Sequence, residues 1–166
     1  MLRFLAAALI CLPSLAFAEG APSCKDGAMP FPPTTANQLT GAQLQQAVSG
    51  KRLGYVRESI RTPGVFVNNT RELRADGSMI YTCEYGRSLT GPWRACASYG
   101  SIQTRRAGAR DVGVWSIKNN ALCGTHASFG QGSEDCFTIH RQGTAVALKR
   151  VSGPLSACLA GAATLQ

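Results

Sequence analysis

Residues 111–150 read DVGVWSIKNNALCGTHASFGQGSEDCFTIHRQGTAVALKR, and the punctuation of this stretch decides the fold. DVGVWSIK stops at Asn119-Asn120, ALCGTHA runs into a Gly-rich segment, and CFTIHR is parted from TAVALKR by Gln142-Gly143. Runs rich in β-branched, aromatic or alternating apolar residues, each ended by Gly, Asn or Ser, mark successive antiparallel strands joined by tight turns. Three hairpins in a row are expected. Trp115, Ile117, Leu122, Phe137, Ile139, Val146 and Leu148 supply one buried face, and Cys123 and Cys136 sit where a cross-strand disulfide can form.

Upstream of these hairpins the character changes. LTGAQLQQAVSGKRL (39–53) places Leu39, Leu44, Ala47 and Val48 at helical spacing, with Thr40 as N-cap and Ser49-Gly50 as the stop. A helix of about three turns at most is predicted, lying across the sheet or plugging one end of it. KRLGYVR (51–57) then alternates basic with apolar residues, as a strand with one wet face does. Farther on, VFVNNTRELRADGSMIYTC (65–83) contains the turn residues Ala75-Asp76-Gly77 of another hairpin. EYGRSLTGPWRA (84–95) reads more as loop than strand, with Trp93 packed on the adjacent disulfide. One short helix and seven or eight short strands, with turn signals every ten or so residues, predict an all-β domain: a small antiparallel barrel or sandwich.

The ends bound this domain. Residues 1–18, MLRFLAAALICLPSLAFA, carry Arg3, an apolar core and the small-x-small end Ala16-Phe17-Ala18, the pattern of a Sec-type signal peptide cleaved after Ala18. The apolar run is shorter than the roughly 20 residues of a membrane span, so a periplasmic or secreted protein is expected. Residues 19–38, with Pro22, Pro30, Pro32 and Pro33, read as an extended arm. Residues 39–158 form the single β domain, and 159–166, ending in Ala and Gly, read as a loose C-terminal tail.

The chain carries 17 Lys and Arg against 9 Asp and Glu, a formal net charge of +8 that falls by one when the signal is removed. Such a balance favours encounter with an anionic envelope component, through lipid head groups or peptidoglycan carboxylates. Seven cysteines are present, and Cys11 leaves with the signal. The other six imply three disulfides in an oxidising compartment. Spacing favours the hairpin staples Cys83 with Cys96 and Cys123 with Cys136, which leaves Cys24 and Cys158 to tie the ends together.

The helix LTGAQLQQAVSGKRL, the Asp76-Gly77 turn, VGVWSIKNNALC and CFTIHRQG together resemble a family of small, uncharacterised exported bacterial proteins. The matching positions are Leu39, Thr40, Leu44, Gly50, Lys51, Leu53, Gly113, Trp115, Ile117, Leu122, Cys123, Cys136, Phe137 and Ile139, over about residues 39–150. The resemblance implies a lipocalin-like, or calycin-like, antiparallel β fold and says little about activity. The Cys83 and Cys96 loop and the terminal cysteines depart from the family pattern.

Several constellations carry chemistry. Cys123-Gly-Thr-His126 with Cys136-Phe-Thr-Ile-His140 has the spacing of a zinc site, but oxidised cysteines do not ligate, so a disulfide with both histidines at the surface is expected, with no metal and no cofactor. Glu134 and Asp135 are neighbours expected to decorate the loop before Cys136. Arg105, Arg106 and Arg110, with Lys149 and Arg150 on a later strand, make a candidate anion-binding patch. The Arg-rich loop lacks interleaved aromatics, which argues against nucleic acid. No G-x-S-x-G elbow, S-x-x-K or Walker A motif is present. The leading expectation is a non-enzymatic binding protein that contacts an anionic envelope component, a small apolar ligand or another protein. The alternative is a small envelope hydrolase, or a hydrolase inhibitor, with His126 or His140 near the Cys123 loop.

Overall fold

Leu44 and Val48, four residues apart, put two apolar side chains on one helical face, and both are fully buried in α1, Gly41–Val48. Thr40 occupies the N-cap in extended conformation without a side-chain capping bond. The helix and the strands that follow are seen in a computed structural model that describes residues 29–59, 62–96, 110–126, 134–153 and 160–166.

Among the described residues nine strands follow α1: β1 (Lys51–Glu58), β2 (Phe66–Leu73), β3 (Ser78–Gly86), β4 (Arg94–Ala95), β5 (Arg110–Lys118), β6 (Ala121–His126), β7 (Asp135–Gln142), β8 (Ala145–Ser152) and β9 (Ala160–Leu165). The two-residue β4 only lines the edge of β3. The other eight each pair antiparallel with their neighbour in sequence, β3 passing directly to β5, and β9 returns to β1. The sheet is therefore a closed, eight-stranded, up-and-down barrel rather than a sandwich. Closure leaves no long edge open to pairing with another chain.

Period-two alternation sets which side chains point in. On β2, Val67, Asn69, Arg71 and Leu73 are buried while the residues between them are half-exposed. The hairpin β5–β6 turns through Asn119 and Asn120 at φ 49° and 59°, the paired left-handed conformation that a two-residue hairpin loop requires.

The two ends of the barrel differ. Tight turns join β2 to β3, β5 to β6 and β7 to β8 at one end, and α1 closes that end. The Gly41 amide donates to Asn120 Oδ1 at 2.9 Å, and the Gly50 amide to the Leu73 carbonyl at 2.7 Å. Inside lie Leu44 and Val48 of the helix with Leu53, Leu73, Met79, Trp115, Leu122, Phe137, Ile139, Val146 and Leu148, and Ile117 packs against them partly buried. An eight-stranded barrel is just wide enough for side chains to fill. Trp115, Phe137 and Ile139 accordingly belong to this packed core. The strand ends joined by the longer connections, β1 to β2, β3 to β5, β6 to β7 and β8 to β9, are at the other end.

Two expectations are corrected at the termini. The segment read as a loose tail is instead β9, hydrogen-bonded to β8 and β1 on its two sides, so Ala160–Leu165 completes the barrel wall. The described part of the arm is also docked. Phe31 is buried, residues 35–37 form a single 3-10 turn, and the Leu39 amide donates to the Ile139 carbonyl at 2.9 Å. Cys24 and Cys158 lie outside the described residues.

Candidate functional site

Toward the end with the long connections, the barrel interior changes from apolar to charged. Asn69 and Arg71 share the inward face of β2 with Val67 and Leu73, so the same alternation that buries the apolar pair buries the polar one. Arg71 is completely buried. Its Nη2 donates to Asp135 Oδ2 at 2.7 Å and to the Tyr55 hydroxyl at 3.2 Å. The guanidinium carbon lies 4.7 Å from the Phe137 ring centre and 5.8 Å from that of Tyr55, within the range where a cation is attracted to an aromatic face. Gly124 on β6 makes room for it, because a Cβ there would lie 3.3 Å from Arg71 Nη1 and 3.0 Å from Met79 Cε.

Asp135, the first residue of β7, accepts from both sides. Arg150 Nη2 donates to its Oδ1 while Arg71 holds Oδ2. Arg150 follows Val146 and Leu148 on the inward face of β8, and just beyond it a bulge, with Phe137 paired to Arg150 and Cys136 to Ser152, leaves Val151 without a partner in the ladder. Arg150 Nε also donates to the Ser152 carbonyl at 3.3 Å. Gly153, at φ 142°, lies against the ion pair, where a Cβ would come 2.5 Å from Asp135 Oδ1.

Tyr81 and Asn69 extend the cluster, the phenol donating to Asn69 Oδ1 at 2.6 Å. Burial pushes the Tyr81 phenol far above its ordinary value, so it remains a protonated donor. For Arg71, burial disfavours the charge, but Tyr55 and Asp135 outweigh it and hold the guanidinium above its ordinary value. Among the described residues Asp135 is the one buried carboxylate, shared by the two buried guanidiniums. Chemically, the cluster is a buried layer of two guanidiniums, one carboxylate, two phenols and an amide.

The sequence-derived candidates are scattered relative to this cluster. Arg150 does not belong to an exposed basic patch, because it is buried and ion-paired while its neighbour Lys149 is exposed on the opposite face of β8. Arg105 and Arg106 lie outside the described residues, and Arg110 opens β5. Asp135 does not decorate a loop; it is an interior strand residue. Glu134 does stay outside, bridged to Lys118 at 2.7 Å.

Cys83 and Cys96 are bonded and fully buried with Val67 and Tyr81. Trp93 lies against Gly86 and Gly91, 3.1 Å from the site a Gly86 Cβ would take. Cys123 and Cys136 are bonded across directly opposed positions of β6 and β7, on the outer face of the barrel. The Cys123 and Cys136 sulfurs and a Glu134 oxygen lie within 4.8 Å of one another, the one such potential metal-ligating group among the described residues.

His140 is not at the surface. It is buried under the arm, with Nδ1 3.1 Å from the Thr34 carbonyl and 3.0 Å from Asn37 Oδ1, and Nε2 3.0 Å from the Thr138 hydroxyl. Two acceptors at Nδ1 place a proton there. Burial and then Lys149 lower its pKa, against an opposing contribution from Thr34. His126 lies on β6 opposite Gly113.

Open grooves mark the outer wall. One of about 450 Å³ runs over β9, β1 and β2 past Gly54, Thr70, Thr164 and Leu89. Another, of about 390 Å³, lies beside Cys123, Cys136, Lys118 and Glu134. No helix among the described residues is long and apolar enough to cross a membrane.

Three members of the interior cluster, Asn69, Arg71 and Arg150, were within reach of the sequence. With Val67 and Leu73 inward on an extended strand, Asn69 and Arg71 have to point inward as well, and with Val146 and Leu148 inward so does Arg150. No family model matches this chain, and neither a curated protein nor a solved structure matches it.

Proposed function

We propose that this is an exported, non-enzymatic binding protein that takes up an anionic group at the loop-bearing end of its barrel. The observation that carries the reading is the sharing of one carboxylate, Asp135, by two buried guanidiniums, Arg71 and Arg150. Two guanidiniums buried side by side set up a positive potential at this end of the barrel, which favours the approach of an anion. Asp135 opens β7 at the strand ends that the longer connections join, and connections on a rigid barrel are the usual place for recognition. The signal-like residues 1–18, the two disulfides and the formal charge of +8 support an envelope location and an anionic partner. The up-and-down barrel is also the architecture that the resemblance to lipocalin-like exported proteins implies. The packed apolar half supports a polar ligand over a buried apolar one.

The test is a titration of the oxidised protein with inorganic phosphate, with a short dicarboxylate and with anionic phospholipid vesicles, at low and high salt, followed by the guanidinium and tryptophan NMR signals. Saturable binding to one of these probes, weakened about tenfold in Arg150→Gln, supports the reading, the loss of one charge-assisted bond accounting for that factor. Failure of all three to bind, or equal binding by the variant, overturns it.

A further inference from the structure

We propose that the Cys123–Cys136 bridge masks a metal site: once reduced, the two thiolates and Glu134 hold a thiophilic divalent cation, Zn²⁺ or its probe Co²⁺, in the outer groove. The site is independent of the interior charge cluster and of the binding role proposed for it.

Cys123 and Cys136 are directly opposed on β6 and β7 with their Cα atoms 4.1 Å apart. Both strands are held on their far sides by β5 and β8, so breaking the sulfur bond leaves the two side chains adjacent. Ligands at about 2.3 Å in a tetrahedral shell stand roughly 3.8 Å from one another. The three donor atoms here already lie within 4.8 Å of one another, so small side-chain rotations are enough to form that shell.

Glu134 is positioned for this task. Its Oε1 accepts from Lys118 Nζ at 2.7 Å, while Oε2 faces Cys136 Sγ at 3.7 Å. Lys118 therefore fixes the carboxylate with one oxygen turned to the sulfur, the outer hydrogen bond that orients a metal-binding carboxylate. The ammonium also offsets the charge that two thiolates and a carboxylate leave on a divalent ion. The groove of about 390 Å³ beside the sulfurs leaves the fourth coordination position open to water or to a small ligand.

The conversion balances with a dithiol as reductant. One of its thiolates attacks a bridge sulfur to give a mixed disulfide and a free Cys thiolate. Its second thiol then closes on the first, so that two electrons pass to the bridge and the reductant leaves as a cyclic disulfide. Binding the cation displaces the two thiol protons, so affinity rises with pH.

The experiment adds Co²⁺ anaerobically to the full chain, oxidised and dithiol-reduced, and records thiolate-to-cobalt charge-transfer absorbance. The expected result is one Co²⁺ bound in the reduced form and none at this site in the oxidised form. Glu134→Gln is expected to weaken binding by about tenfold or more with the thiol count unchanged. The double variant C123S/C136S is expected to lose the signal and reports any contribution from the other cysteines. Charge-transfer absorbance that survives the double variant, or affinity unchanged in Glu134→Gln, overturns the proposal. The Glu134 variant alters a groove side chain outside the core, so it decides the question even if the double variant fails to fold.

Discussion

Arg71 and Arg150, from strands β2 and β8, meet on opposite oxygens of the same Asp135 carboxylate, so a single acid joins widely separated walls of the barrel through its interior. Removing that acid leaves two buried guanidiniums without it. Asp135→Asn is expected to destabilise the fold by about 3–5 kcal/mol, the cost of breaking a buried ion pair from one side. Replacing all three residues together by apolar ones of similar volume is expected to recover most of the loss. Urea denaturation of the two variants separates charge from shape: equal losses would show that packing, not charge, holds this layer.

Gly153 presses on that ion pair. Its φ of 142°, and the 2.5 Å at which an added Cβ would stand from Asp135 Oδ1, leave no place for a side chain. Gly153→Ala is expected to cost about 1–3 kcal/mol, as strained backbone positions do. The same change is expected to speed hydrogen exchange in the last turn of β8. A variant as stable as the parent would mean that this glycine does not cover the pair.

His140 ties the arm to the barrel as a neutral ring. Its pKa is lowered from 6.5, so the unfolded chain takes up a proton before the folded one does. The stabilisation is therefore present above about pH 6.5 and is lost as pH falls through the lower folded value. Acidification is expected to loosen residues 29–39 first, seen as faster exchange of the Leu39 amide, which bonds the Ile139 carbonyl. In His140→Gln this acid-dependent step should disappear. An identical pH profile in the variant would assign the step to another group.

β9 closes the ring between β8 and β1. Deleting residues 160–166 is expected to expose two long unpaired edges and to give aggregation in place of a monomeric barrel. Size-exclusion chromatography and circular dichroism are sufficient to check this. A truncated chain that stays monomeric with a native spectrum would show the strand to be dispensable.

The Cys83–Cys96 bridge spans a sequence separation of 13 and anchors the connection leading to β4. The double change to Ala is expected to lower stability by about 3 kcal/mol, the figure for closing a loop of this size, and urea denaturation of the oxidised parent and the variant measures it.

The strand and turn grammar of residues 111–150 was legible because alternation and turn residues agree there, Asn119-Asn120 most clearly. β9 was not, since AGAATL has low strand propensity and one β-branched residue, and its backbone bonds to two neighbours, not its side chains, make it a strand. Arg150 read as surface because it adjoins Lys149, although adjacent strand residues face opposite ways and only one of the two can be outside. Asp135 was hidden for another reason: its burial depends on Arg71, 64 residues away, a pairing that no local pattern announces. The docking of His140 under Thr34 and Asn37 is likewise a long-range contact.

Because every wall of the barrel pairs with its successor and β9 must return to β1, β1 gains its second neighbour only when a strand from the far end of the described chain docks beside it. Hairpins can form between sequence neighbours, but this seam joins strands distant in sequence, so its closure carries the largest loop entropy and leaves two strand edges bare until it is made.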